Sequence, residues 1–240
     1  GAGPASCLVG RRLGEGSFGS VYRAVHPQSG EIFAIREINA CAASLAACFS
    51  LLHPNLVRYV YCAPLPGGVR IFMDYVPGGS LEAMVRLLGG LSGRHLAAMA
   101  LGVLRGVHYL HGRRPPIVHG NIRCASVFLD LHMAPRLSDF CLASLDGPVP
   151  ESVLPWAAPE VARGGRLGRR SDVWSFGCAT LEMATGGPPR GTGGDGGPPV
   201  PPELPAEACG FLASCWRPPQ ARASASDLLG HAFLRPRRAV

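Results

Sequence analysis

Between residues 8 and 25, two short strand-like runs flank the sequence Leu13-Gly14-Glu15-Gly16-Ser17-Phe18-Gly19-Ser20-Val21. Glycines at 14, 16 and 19 leave three positions without side chains, so backbone N–H groups can approach an anion such as a phosphate. The element after the last glycine decides which fold can use them. A dinucleotide-binding unit needs a helix to open there. Here residues 20–25 are again strand-like, and the turn residues His26-Pro27-Gln28-Ser29-Gly30 lead to a third such run at 32–38. The chain therefore opens as three antiparallel strands. Taken alone, the glycine loop also fits a plain hairpin in a glycine-rich chain.

The pattern then changes. Residues 39–52 are rich in Ala and Leu and predict a short helix stopped at His53-Pro54, and two more strands fit 57–62 and 69–75. After Pro77-Gly78-Gly79 the periodicity is helical, at 80–88 and again at 94–111, where Leu96, Met99, Leu101, Leu104, Val107 and Leu110 form an apolar stripe. Helices are also expected at 171–185, 205–215 and 223–229, whereas 186–202 is almost all Gly and Pro and reads as a flexible loop. A small β-rich lobe followed by a larger α-rich one predicts an α+β, bilobal architecture, and 240 residues suffice for one such domain.

Composition excludes several function classes. All 23 basic residues are Arg, beside 32 Gly and 23 Pro, so a single Lys-to-Arg replacement carries little weight here. The formal charge is +7, but the arginines are dispersed apart from Arg163, Arg166, Arg169, Arg170 and the terminal Arg235, Arg237 and Arg238, so no nucleic-acid partner is expected. The nine cysteines form no C-x-x-C pair and read as small buried hydrophobes in a reducing, intracellular and cytoplasmic setting. No apolar run approaches the roughly 18 residues of a membrane span. The N-terminus has neither Met nor a signal pattern, so the sequence is expected to be a piece of a longer chain.

Further motifs stand in a fixed order. Phe33-Ala34-Ile35-Arg36 is followed by His53-Pro54-Asn55-Leu56-Val57, by Ile71-Phe72-Met73-Asp74-Tyr75 with Gly78-Gly79-Ser80-Leu81, and by His119-Gly120-Asn121. Asp139-Phe140-Cys141, Ala158-Pro159-Glu160, Asp172-Val173-Trp174-Ser175-Phe176-Gly177 and Leu228-Leu229-Gly230-His231-Ala232-Phe233-Leu234 complete the series. With the glycine loop, this order resembles the protein kinase superfamily, and the hinge and closing segments are most similar to the Ser/Thr mitogen-activated protein kinase kinase kinases. The resemblance implies a single kinase-like domain over 1–240. Its N-lobe, at about 7–76, holds a five-stranded antiparallel sheet and one αC helix at 39–52; a hinge at about 74–79 leads to a helical C-lobe at about 80–236. It also implies ATP and Mg²⁺. A nucleotide would meet Gly14, Gly16, Ser17, Phe18, Gly19, Val21, Ala34, Arg36, Met73, Asp74, Val76, Phe128 and Asp139.

Much of the implied machinery is replaced. In the family a Lys–Glu pair orients the phosphates, acidic and amide ligands hold Mg²⁺, and an Asp accepts the substrate proton. The lysine position holds Arg36, whose planar fork is no substitute for a compact ammonium. The αC glutamate position falls on Ser44, and no acidic residue lies between Glu37 and Asp74. Asn121 stands at the base position, where an amide can position a hydroxyl but cannot take its proton. Gly120 replaces an arginine, Arg123 the loop lysine, Ser126 the second metal-binding asparagine and Val153 a threonine of the activation segment. Asp139 alone remains as a metal ligand, so ATP and Mg²⁺ are expected to be held weakly. The loop at 186–202 stands where the family has a helix used for docking proteins.

Residues that hold the fold remain: Glu160 with Arg222, Asp172 beneath the 119–126 loop, and a column of Cys48, Tyr59, Phe140 and His119. Scaffold kept with chemistry removed is the pattern of a pseudokinase, acting on an active kinase or on another domain of its own chain. Two alternatives stay open, a slow Ser/Thr kinase and a nucleotide sensor without turnover. Asp139 also fits a mere loop brace, Phe128 either stacks on a base or fills its pocket, and His53, His108, His111 and His119 have no metal-ligand spacing.

Overall fold

The structure is a computed structural model that describes residues 7–16, 19–39, 42–140, 150–191 and 196–235, excluding the side chains of 16 and 42–44. Five strands, β1 (Leu8–Gly16), β2 (Gly19–Val25), β3 (Ile32–Ile38), β4 (Tyr59–Leu65) and β5 (Gly68–Asp74), form an antiparallel sheet of order β1-β2-β3-β5-β4. Its two faces arise from the two-residue period of a strand. Phe33, Ile35 and Phe72 pack with Ala24 on one face, while Ile38, Val69, Ile71 and Met73 join the main core on the other. Arg36 therefore shares the core side with Ala34. Glu37 is turned away from it and pairs at 2.5 Å with Arg70, its neighbour across β5. Gly19 has φ +107°, and a Cβ there would stand 2.0 Å from the Glu37 carbonyl oxygen, so only glycine lets the hairpin lie on β3.

The segment expected as the αC helix is helical but of the tighter 3₁₀ kind, Ala42–Ser50. It has no acidic residue in its first turn and no basic one in its last. Nothing there complements the helix dipole. Its hold on the domain comes instead from Leu45 and Cys48, both buried against the sheet.

Beyond the sheet, α1 (Leu81–Leu88) starts where Ser80 Oγ accepts the Ala83 N–H and ends at Gly89 in the left-handed region. It is followed by α2 (Gly93–His111), the hairpin of β6 (Val127–Leu129) and β7 (Pro135–Leu137), α3 (Pro159–Ala162), α4 (Arg169–Thr185), α5 (Ala206–Cys215) and α6 (Ala225–Leu229). The stripe predicted for α2 is buried except for Leu101, which packs against the core from its edge. The described part of 186–202 contains no helix, yet it is laid on the domain. A Cβ on Gly197 would fall 2.3 Å from the Trp216 ring, and Val200 packs against the core.

Helix α4 is buried on nearly every side, so its polar residues must find partners inside. Glu182 Oε2 accepts from the Cys124 N–H at 2.9 Å and from Trp156 Nε1 at 2.8 Å, tying residues 124 and 156 to the helix. Burial pushes its carboxyl above the ordinary value, outweighing the hydrogen bonds that lower it. Arg222, 2% exposed, grips Glu160 with both ends of its fork, at 2.6 and 3.1 Å, and also donates to the carbonyls of Arg170 and Arg217. Burial raises the Glu160 carboxyl, but the Arg222 hydrogen bonds and charge bring it below its usual value.

Removing one member of this pair leaves the other alone. Glu160→Ala is expected to cost about 3 kcal/mol in urea unfolding, because Arg222 stays buried without its counter-ion. Arg222→Met should cost less, since the Glu160 side chain is 29% exposed and can turn to water. Glu182 gives a pH-dependent prediction of the opposite sign. Its folded-state pKa lies above the unfolded one, so its contribution is fully favourable below the unfolded value and is lost as pH rises through the folded value. Glu182→Gln keeps an acceptor oxygen and removes the charge. Its stability relative to the parent is expected to be higher at about pH 7 than at about pH 4, and equal differences at the two pH values would contradict the burial argument.

Candidate active site

The 119–126 loop is fixed from below. Asp172, 1% exposed in the first turn of α4, accepts the N–H groups of His119 and Gly120 and a ring nitrogen contact from His111, each at 2.8 Å. His119 Nδ1 accepts the Asn121 N–H at 3.1 Å, so its proton sits on Nε2, which donates to the Ser138 carbonyl at 2.8 Å. Full burial holds the His119 imidazole below its ordinary pKa, which keeps it neutral. This bond delivers the next two residues. Phe140 stacks on Tyr59 at 4.5 Å between centroids and meets His119 edge-on at 6.4 Å, while Cys48, Tyr59 and Phe140 are all within 2% of complete burial. Of the predicted column, Tyr59, Phe140 and His119 are in contact, and Cys48 is buried in the same core.

Asp139 adopts φ +65°, a left-handed conformation that aspartate tolerates better than most residues. Its carboxylate faces Arg36, whose Nη2 lies 2.8 Å from Oδ1 and 3.0 Å from Oδ2, and it also accepts from Ser138 Oγ at 3.1 Å. Both side chains are buried, at 5% and 9% exposure. The remaining donors of Arg36, Nε and Nη1, are buried without a partner among the described residues. The guanidinium is thus only half satisfied.

Arg36 and Asp139 form one end of a cavity of about 460 Å³ between the lobes. Val21 and Ala34 cover it from the sheet, Phe128 lies beneath on β6, and Met73, Asp74 and Val76 close the hinge side. Gly14 and Arg123 also reach it. Gly19 does not, because it is spent on the contact with β3; Ser17 and Phe18 lie outside the described residues, as do Cys141 and Ser144. Leu13, Glu15, Val57, Glu82 and Ser138 line the cavity although no motif marks them as contacts. Leu13 and Glu15 sit inside the glycine loop and Val57 ends the motif that starts at His53, so both motifs are signals that could have found them; Glu82 carries none.

Two residues expected at the reaction centre stand away from the cavity. Asn121 is 2% exposed, and its side-chain oxygen and nitrogen are both buried without partners among the described residues. Ser126 is fully buried, its hydroxyl 2.8 Å from the carbonyls of Asn121 and Arg123 and accepting the Arg123 N–H. A side chain one carbon long bonds its own loop, where a longer amide could have reached outward. Arg123 is drawn the other way, its Nη1 3.4 Å from the Ser152 carbonyl and its guanidinium 5.6 Å from the centre of the Trp156 ring.

The apolar walls suit a planar base, and the half-satisfied Arg36 suits a phosphoryl group beside it. The same residues do not suit Mg²⁺. Asp139 is already paired with a guanidinium, Ser126 is turned into its loop, and among the described residues no group of three His, Cys, Asp or Glu side chains is placed to hold a metal. No helix among them is long and apolar enough to cross a membrane.

Residues 8–234 match the protein-family model described as "Protein kinase domain". The chain is 30% identical to mitogen-activated protein kinase kinase kinase A of Dictyostelium discoideum, over 94% of this chain and 27% of that protein. It is 30% identical to mitogen-activated protein kinase kinase kinase 3 of Arabidopsis thaliana, over 95% of this chain and 41% of the relative. To the human mitogen-activated protein kinase kinase kinase 6 it is 34% identical, over 93% of this chain and 20% of that protein. The chain thus spans less than half the length of these curated relatives, and within that span it belongs to the protein kinase domain family.

Proposed function

We propose that this is a catalytically deficient kinase domain that works by binding, as a scaffold or allosteric partner of an active kinase or of another part of its own protein, in cytoplasmic signalling. The observation that carries the reading is Asn121. It occupies the base position, cannot accept a proton, and has its amide buried off the cavity wall. General-base loss alone slows a reaction by roughly 10²- to 10⁴-fold, and here it coincides with a metal position where Ser126 is turned away. The names of the relatives support a signalling context, and the absence of a helix from the described part of 186–202 supports an altered way of docking proteins. The cavity supports retention of a nucleotide, held more weakly than in an active kinase.

A second reading, a slow Ser/Thr kinase, is favoured by one observation. Tyr59, Phe140 and His119 pack as a column, an apolar link between the lobes that transfer would need.

Purified protein incubated with labelled ATP, Mg²⁺ or Mn²⁺ and a generic substrate is expected to show no transfer above background. Transfer that tracks the protein and disappears in Asp139→Ala would sink the deficient reading. Asn121→Asp separates the two further. A carboxylate at this buried, partnerless position should lower the melting temperature and leave transfer undetectable, whereas a measurable rate in that variant would favour the slow kinase.

A further inference from the structure

Among the described residues four carboxylates line the cavity, and each is already matched to an arginine. Asp139 pairs with Arg36 at 2.8 Å, Asp74 with Arg58 at 3.0 Å, Glu82 with Arg86 at 3.4 Å, and Glu15 with Arg12. Three of these pairs reach solvent and would exchange readily. The fourth would not, because both its members are buried and Asp139 has Oδ1 and Oδ2 within reach of the same Nη2. A divalent cation needs a carboxylate with a lone pair turned to it and, for magnesium, near-octahedral room. At Asp139 it would have to displace a guanidinium that has no other carboxylate to go to among the described residues.

The arginine meanwhile keeps capacity of its own. Arg36 stands on the cavity wall, 4% exposed, with Nε and Nη1 unpartnered among the described residues. A planar fork can hold one anion on Nη2 and offer its other N–H groups to a second. A phosphoryl oxygen is a stronger acceptor than a neutral carbonyl, and it would relieve the cost of leaving those donors unmade.

We infer that the cleft takes its nucleotide without a divalent cation, with Arg36 supplying beside Asp139 the positive charge that a metal would otherwise bring. This rests on the reading of the cleft as a deficient kinase site and goes beyond it. Deficiency alone does not require that binding be metal-free.

The test is the affinity of the chain for ATP, measured by calorimetry in excess EDTA and again in millimolar Mg²⁺, alongside the Arg36→Met variant. The two parent dissociation constants are expected to agree within about threefold. In Arg36→Met, Asp139 loses its partner, so binding in EDTA should weaken by about tenfold or more and Mg²⁺ should recover part of the loss. Parent binding that tightens about tenfold or more with Mg²⁺ overturns the inference. So does a variant that behaves as the parent does in both conditions, since Arg36 would then not be the reason. If the variant fails to fold, the parent comparison still decides. ATP that binds in neither condition overturns the inference and leaves the catalytic deficiency standing, whereas Mg²⁺-dependent turnover overturns both.

Discussion

Asp172 is the residue on which the cleft is built. Its carboxylate, buried under the 119–126 loop, takes two backbone N–H groups and a histidine nitrogen at 2.8 Å each. A buried carboxylate with fewer partners would be expensive; with three it becomes a rigid anchor. Each later placement depends on the one before it. The anchored backbone sets His119, His119 holds the Ser138 carbonyl, and Ser138 leads directly into Asp139 and Phe140. The contact of Asp139 with Arg36 and the stack of Phe140 on Tyr59 are therefore consequences of a bond made on α4, in the other lobe. Nothing in this chain of contacts needs Asn121 to be an acid or Ser126 to be an amide.

Arg36 shows how a replacement of small weight in sequence gains weight in structure. Compositional bias is enough to put an arginine where a lysine is expected. The fork is wider than an ammonium, however, and the segment between residues 37 and 74 holds no carboxylate to share it. The guanidinium closes on Asp139, the buried acid within its reach among the described residues. Removing either member would leave a buried charge alone, at a cost of about 3 to 5 kcal/mol. Once formed, the pair is hard to undo, although replacing both members by apolar groups could be neutral. It fixes the electrostatics of the cleft more than it stabilises the fold.

The architecture was legible because the signals that carry it are local. Glycines followed by a strand, proline after the Ala-rich segment, and the stripe of α2 each report on a few adjacent residues. Their order along the chain then specified the two lobes. The site was legible only as a set of positions. That Arg36 meets Asp139, 103 residues away, depends on which acids are absent elsewhere. That Ser126 turns into its own loop depends on a side chain too short to do otherwise. Glu182 offered a usable signal, a lone acid in the apolar run Leu181-Glu182-Met183, but its partners Cys124 and Trp156 come from two other segments. The glycine- and proline-rich stretch was legible only in part. Composition predicts a loop, and the described part holds no helix or strand, but composition does not show that Gly197 fits closely against Trp216 because it has no side chain.

The distribution of unsatisfied groups ties these points together. Where polar side chains hold backbone or bridge segments, at Asp172, Glu182 and the Glu160–Arg222 pair, their hydrogen bonds are made. Among the described residues, Arg36 on the cavity wall and Asn121 behind it leave bonds unmade, as do Arg23 Nε and His26 Nε2 in the small lobe. A neutral amide buried without partners costs about 1 to 3 kcal/mol for each group. An ionised carboxylate in the same buried place would cost more, since it carries a charge as well as unmade bonds. An aspartate at 121 is tolerable only in a cleft that gives it a proton to take, a metal or a hydroxyl partner, and among the described residues no side chain partners this position. Asparagine is the less costly occupant of a loop whose shape is still required and whose chemistry is not.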